Sequence, residues 1–315
     1  MRLVGDIGGT NARFAVAESR KYPSNVRKLP IANYAGLVEA VEDYLSGVPA
    51  VEEAVLAVAA PVLGDKVAFT NSGWRFSIDE VRQRLGLRKL VVINDLVAQA
   101  LSFAALPADE IGPVKSGTRD PRQPALVIGP GTGLGVAFLM NIEGTLVGIA
   151  SEGGHATFAP MDGVQAEILS HLQGQYGHVS VERLLSGPGL LAIATTLAKI
   201  KGQIIDVSDP RDVSARAAAN QCPICREAIL IFSSVLGSAA GNLALTLLTG
   251  GGVIITGGLS RGLRPLWDVE ALVNGFVAKG RFSSYLDDIP IDQILRPHPG
   301  LLGAAVYVEG ASGRG

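Results

Sequence analysis

Apolar and polar positions along this chain fall into two alternating patterns. Leu3-Val4-Gly5-Asp6 and Arg13-Phe14-Ala15-Val16 are short apolar runs on either side of a glycine turn, which predicts a β-hairpin. Leu37, Val41, Tyr44 and Leu45 recur at helical spacing, and residues 54–60 form a continuous apolar run of strand length. The next helix has legible ends: Ser77 with Glu80 three residues on predicts a capping box, and Gly86 a stop. Residues 89–93 read as a buried strand, followed by Asn94-Asp95 and an apolar helix from Leu96 to about Ala105. A hairpin followed by alternating strands and helices implies an α/β layer structure with a mixed sheet.

Proline and glycine punctuate residues 106–124, the best candidate for a domain boundary. Beyond it the theme restarts. Residues 125–128 are apolar, Gly129-Pro130-Gly131-Thr132-Gly133 is a turn, and residues 135–139 are apolar again, so an internal duplication of strand, glycine-threonine turn and strand is visible. Helical patterns follow at 164–172, 179–185, 190–200 and 211–219, with a long one from Pro223. A strand at 253–256 ends in Gly257-Gly258, and Pro299-Gly300-Leu301-Leu302-Gly303 opens a last apolar helix.

Composition narrows this picture. The 315 residues include 39 glycines, 48% hydrophobic and 18% charged residues, so the chain buries much and turns sharply often. With 27 Lys+Arg against 29 Asp+Glu, no basic footprint for nucleic acid or an anionic membrane exists. Residues 228–260 carry no charge, enough length for a membrane span. Ser233, Ser234, Ser238, Gly241, Asn242 and the break at Gly250-Gly251-Gly252 make a buried helix followed by a buried strand the better reading. Asp6 interrupts the opening apolar run before a secretory h-region could form, and two cysteines cannot build a disulfide framework, so a cytoplasmic location is expected. Cys222-x-x-Cys225 lacks the further ligands of a structural zinc site and reads as two reduced structural cysteines.

The glycine turns raise nucleotide chemistry. No Gly-Lys dipeptide occurs, which excludes a Walker A loop, and neither Gly129 nor Gly131 begins a G-x-G-x-x-G fingerprint. Two glycine-rich hairpin turns with Thr10, Asn11 and Thr132 remain, whose N–H groups and hydroxyls could hold phosphate oxygens. Asp6 beside the first turn is either a magnesium carboxylate or an Asx-turn residue. Asn94-Asp95 is either a helix cap or a carboxylate at the carboxyl end of a strand, where α/β sheets bind ligands. Glu152 and His155 flank a glycine pair and, with Glu182, could hydrogen-bond sugar hydroxyls; Glu182 alone reads equally as a solvated face residue.

Taken in order, G-D-I-G-G-T-N-A-R at Gly5, I-N-D at Ile93, G-P-G-T-G-L-G at Gly129, E-G-G-H at Glu152, E-R-L-L-S-G-P-G at Glu182, G-G-V-I-I-T-G-G at Gly251 and H-P-G-L-L-G at His298 resemble the bacterial ATP-dependent glucokinase family. The resemblance covers nearly the whole chain. It implies an α/β, two-domain actin-like (hexokinase-type, ribonuclease H-like) fold with a cleft between a small α/β domain, residues 1–108 plus 297–315, and a larger α+β domain, residues 109–296. It also implies glucose contacts from Asn94, Asp95, Glu152, His155 and Glu182, with Asp95 as catalytic base for transfer from ATP to the 6-hydroxyl. Nucleotide contacts would come from Gly5, Asp6, Ile7, Gly8, Gly9, Thr10, Asn11, Gly131, Thr132 and Gly133, with Mg²⁺ near Asp6. The expected partners are glucose and ATP, the expected assembly a homodimer, and closure of the two lobes on the sugar is implied. The repressor, open reading frame and kinase group shares the first turn but carries a cysteine-rich zinc motif after its E-G-G-H-like run. Here Ala156-Thr157-Phe158-Ala159-Pro160 follows instead. The alternatives are a kinase for another hexose and a non-catalytic sugar-binding regulator on the same fold. Residues 309–315 match no family motif.

Overall fold

A computed structural model describes residues 1–18, 22–69 and 73–308; the tail at 309–315 lies outside the described residues. Its internal contacts divide the chain into two compact units. The first comprises residues 1–110, 138–150 and 296–315, the second residues 111–137 and 151–295. The segment 138–150 thus clusters with the first unit although it lies inside the expected 109–296 range.

The first unit is built on strands β1 (Arg2–Ile7), β2 (Asn11–Ala17) and β3 (Ser24–Pro30), helix α1 (Leu37–Leu45), strands β4 (Glu53–Val58), β5 (Lys66–Ala68) and β6 (Arg75–Ser77), helix α2 (Ile78–Arg84), strand β7 (Lys89–Asn94) and helix α3 (Asp95–Phe103). The main sheet has the order β3-β2-β1-β4-β7. β1 and β2 are antiparallel, while β1, β4 and β7 run parallel and in register, so Ile7, Val58 and Asn94 end side by side. Leu3, Ile7, Phe14, Leu56 and Val58 bury one face together with Val41 and Tyr44 of α1. Ser77 accepts the Glu80 N–H at 3.2 Å, which is the Ser77 half of the expected capping box, and Gly86 adopts φ +63° at the expected stop of α2. The C-terminal helix (Gly300–Val306) packs on α3 so closely that a Cβ at Gly303 would overlap the Ala98 carbonyl.

The second sheet begins with β8 (Ile111–Lys115), β9 (Ala125–Pro130), β10 (Leu134–Ile142) and β11 (Thr145–Ser151). Helices α4 (Gly163–Tyr176), α5 (Gly187–Ile200), α6 (Pro210–Ala218) and α7 (Pro223–Leu247) follow, then β12 (Val253–Ile255), α8 (Gly258–Leu263), α9 (Val269–Val277), α10 (Ser283–Asp287) and β13 (Ile291–Ile294). Strand order is β11-β10-β9-β12-β13-β8, with β9, β12 and β13 parallel. Its first five strands repeat the order of the first sheet, third, second, first, then two parallel strands. The duplication visible at the two glycine turns is therefore a duplication of topology.

The region 106–124, read as a boundary, also holds an element that the pattern did not announce: β8, an edge strand antiparallel to β13. Pro113 interrupts the β pattern there, and proline is tolerated because an edge strand can leave one side unpaired. The pattern at 179–185 is not a full helix but a single 3-10 turn at Val181–Arg183.

The uncharged run forms α7 and then β12, in keeping with the buried reading. α7 is long and apolar enough to cross a membrane, yet most of it is buried inside the second unit. Its small residues let α9 approach backbone to backbone: a Cβ at Gly237 or Gly241 would overlap the carbonyls of Leu272 or Phe276, and one at Gly275 that of Ser234. Cys222 caps α7, its Sγ accepting the Cys225 N–H at 3.1 Å. Burial pushes the Cys225 thiol up to about 12, which keeps it protonated and unreactive.

Candidate functional site

In the first unit the candidate residues gather at the carboxyl ends of the parallel strands. Gly5 and Ile7 are buried in β1, Gly5 between Leu56 and Phe14, so a contact from either would come through the main chain. The β1–β2 turn is closed by Gly8 N–H donating to the Asn11 carbonyl at 3.0 Å, and the Thr10 carbonyl accepts from Ile31 N–H at 3.0 Å. Gly8 has no left-handed φ, and the nearest atom to a Cβ placed there is the Asn11 oxygen at 3.8 Å. The protein itself therefore sets no requirement for glycine at this position. A phosphate brought against the turn would.

Asp6 stands opposite Arg13 on β2. Burial raises its carboxyl above the ordinary range, and the nearby Arg13 guanidinium pulls it the other way. A Cβ at Gly300 would sit 3.2 Å from the Asp6 carboxyl carbon, which accounts for the glycine of the H-P-G-L-L-G motif. Among the described residues no cluster of three or more His, Cys, Asp or Glu could hold a metal. A lone, partly buried carboxylate suits Mg²⁺ of the kind that keeps most of its waters and binds through one carboxylate and substrate phosphates.

At the end of β7 the roles of the dipeptide separate. Asn94, not Asp95, is the N-cap of α3: its Oδ1 accepts the N–H groups of Leu96 at 2.9 Å and Val97 at 3.3 Å. The dipeptide therefore supplies both a helix cap, from Asn94, and a carboxylate at the strand end, from Asp95. Asn94 is left with its amide N–H groups, one of which reaches the Ala60 carbonyl at 3.5 Å. Toward a ligand it can only donate. Asp95 is the first residue of the helix proper, and its Oδ1 accepts the Leu96 N–H at 2.9 Å.

In the second unit the β9–β10 turn is closed by Gly131 N–H to the Gly133 carbonyl at 2.8 Å. Thr132 is exposed at its tip, and the nearest atom to a Cβ at Gly131 is 4.0 Å away. Gly131 is thus the counterpart of Gly8. Around this turn the E-G-G-H and E-R-L-L-S-G-P-G motifs converge. Glu182 is not a solvated face residue: its side chain is only 29% exposed, and Oε2 accepts the Leu134 N–H at 2.8 Å. His155, on the 3-10 turn Gly153–His155, lies between two carboxylates, Nε2 3.6 Å from Glu152 Oε2 and Nδ1 4.0 Å from Glu182 Oε1. Ser186 caps α5 by accepting the Gly189 N–H at 3.1 Å, and Gly187 N–H donates to the Gly131 carbonyl at 2.9 Å. Sequence reasoning gave no role to Leu134 and Gly187, because main-chain bonds between distant motifs leave no residue-type signature; their places inside G-P-G-T-G-L-G and E-R-L-L-S-G-P-G were the one pointer to them.

The glucokinase family model matches residues 3–311. The chain belongs to the glucokinase family. A glucokinase of Aromatoleum aromaticum is 44% identical over 314 residues, spanning 98% of this chain and 95% of the relative. Among solved structures, a glucokinase from an Antarctic psychrotroph superposes with a TM-score of 0.87 at 34% identity, covering 97% of each chain. A ROK family glucokinase from Streptomyces griseus, crystallised with glucose and AMPPNP, shares the fold at a TM-score of 0.63 and 21% identity, covering 96% of this chain and 97% of that one. The two-unit, actin-like architecture is that of glucokinases, and the chain is a hexose kinase of this family.

Proposed function

We propose that this chain transfers the γ-phosphoryl group of ATP to the 6-hydroxyl of glucose, giving glucose 6-phosphate at the entry to glycolysis. One observation carries the reading: within the second unit, Glu182, which stands beside His155 and through it Glu152, accepts the Leu134 N–H at the end of the glycine-threonine turn. Phosphoryl transfer needs its acceptor alcohol beside the phosphates, and a polyol-binding cluster tied to a phosphate-binding turn meets that need.

Asp95 takes the proton of the attacking hydroxyl. Asn94 donates to a sugar oxygen, since its own oxygen is committed to the α3 cap. Glu182 and Glu152 accept from sugar hydroxyls, and the imidazole of His155 offers one donor and one acceptor between them. The turns at Gly8, Gly9, Thr10 and Asn11 and at Gly131 and Thr132 hold the nucleotide phosphates, and at Gly8 and Gly131 no side chain stands in the way. Asp6 would hold Mg²⁺, which when bound would supply charge neutralisation on those phosphates. We further propose a cytoplasmic enzyme, a context that suits the free, buried Cys222 and Cys225, acting as the homodimer that the family resemblance implies.

Steady-state kcat/KM measured across hexoses tests the substrate assignment. Glucose is expected to exceed fructose and N-acetylglucosamine by ~10²-fold or more, because buried polar groups left unpaired by the wrong sugar discriminate strongly. A preference for a 2-substituted sugar would overturn it.

A further inference from the structure

Gly131 and Gly133 stand two residues apart in one turn, but their surroundings differ. At Gly131 the space a side chain would fill is open. At Gly133 it is taken: the three nearest atoms to a Cβ all belong to Glu182, with Oε2 inside van der Waals contact, Cδ at 3.2 Å and Oε1 at 3.8 Å. Gly133 has no left-handed φ, so the backbone would accept alanine. Only the Glu182 carboxylate occupies the space, and an alanine would have to push it aside. The next residue fixes that carboxylate, Leu134 N–H donating to Oε2. The Leu134 carbonyl is covered in turn by the E-G-G-H motif, where a Cβ at Gly154 would overlap it. Further along, Gly187 N–H holds the Gly131 carbonyl. The segment bearing Glu182 is therefore stapled to the turn at two points, at Leu134 and at Gly131.

We propose that Gly133 is a positioning residue for the sugar: it is kept small so that Glu182 can lie against the turn with one oxygen locked on Leu134 N–H and the other left for the ligand. The two glycines of one turn then serve different substrates, Gly131 the nucleotide and Gly133, through Glu182, the glucose. This rests on the reading that Glu182 contacts glucose.

The test is calorimetric titration of D-glucose into nucleotide-free protein and of AMPPNP with Mg²⁺ into sugar-free protein, so that no turnover is needed. Gly133→Ala should weaken glucose binding by ~10-fold or more, the scale of one lost charge-assisted hydrogen bond, and shift AMPPNP by less than ~3-fold. Gly131→Ala should do the reverse. Glu182→Asp shortens the side chain and relieves the overlap, so in that background Gly133→Ala should cost less than ~3-fold, a non-additivity that a general loss of structure would not produce. Weakened AMPPNP binding with glucose spared in Gly133→Ala, or additive effects in the double variant, would overturn the proposal. If Gly133→Ala fails to fold while G133A/E182D folds, the conflict is confirmed as one with Glu182; if neither folds, it lies elsewhere and the proposal fails. Wild-type protein that binds no glucose overturns both this inference and the function proposed above, whereas glucose bound equally by wild type and Gly133→Ala overturns this inference alone.

Discussion

At the scale of single residues, the chemistry depends on which atoms are already committed. The motif I-N-D drew attention to two polar residues but did not show how they share the work. Asn94 gives its oxygen to the helix, and Asp95 stands one position inside it. Nothing in the sequence separates those roles, because asparagine and aspartate are equally good N-caps. Glu182 was equally ambiguous, since its partner is the main-chain N–H of Leu134, which every non-proline residue carries. Asp6 offers a direct test. Its carboxyl is raised by burial, with Arg13 opposing. The protonated form is therefore favoured more in the folded than in the unfolded state. Its contribution to stability is fully present below the unfolded-state value, near pH ~4, and is lost as pH rises through the folded-state one. Asp6→Asn, which imitates the protonated form, should raise the Tm of the ligand-free protein at neutral pH, with the gain shrinking toward about pH 4 in a scanning calorimetry series. A loss, or a gain that does not vary with pH, would contradict this account.

At the scale of elements, the apolar periodicity was the reliable signal. α1, α2, α3, α5, α6 and α7 and the strands β1, β2, β4, β7, β9 and β12 lie where the pattern put them. The failures have physical causes. β8 carries Gly112 and Pro113, residues that argue against a strand unless it is an edge. The 179–185 pattern follows helical spacing, but the backbone there is drawn into other bonds, Val181 N–H to the Ala156 carbonyl and Phe158 N–H to the Val179 carbonyl. The glycines of the last motif do packing work that periodicity cannot report: Gly300 faces Asp6 and Gly303 faces Ala98. Gly303→Ala should force the C-terminal helix off α3 and lower stability by roughly 1–3 kcal/mol, a fall in Tm of several degrees. Gly262→Ala in α8, where no atom lies within 4 Å of the added carbon, serves as the control and should be neutral or stabilising. Equal Tm changes in the two variants would contradict the packing argument.

At the scale of the whole molecule, one topological unit is used twice. Each sheet holds a glycine-threonine hairpin followed in the chain by two parallel strands, and that hairpin offers an open glycine, Gly8 or Gly131, at its turn. What differs is what each copy adds: Asn94 and Asp95 at the end of a strand in the first unit, and Glu152, His155 and Glu182 around the turn in the second. The family and its fold were legible from the ordered motifs, while the division of labour inside them needed the coordinates. The central claim is that Asp95 removes the proton of a glucose hydroxyl during transfer from ATP. The most direct measurement is the rate of glucose 6-phosphate formation from glucose and Mg-ATP in a coupled assay, wild type against Asp95→Asn. The account predicts steady turnover by the wild type and a fall in kcat of ~10²-fold or more in the variant, with the fold kept and glucose binding little changed. A variant with near wild-type turnover, or a wild type that forms no sugar phosphate, would contradict it.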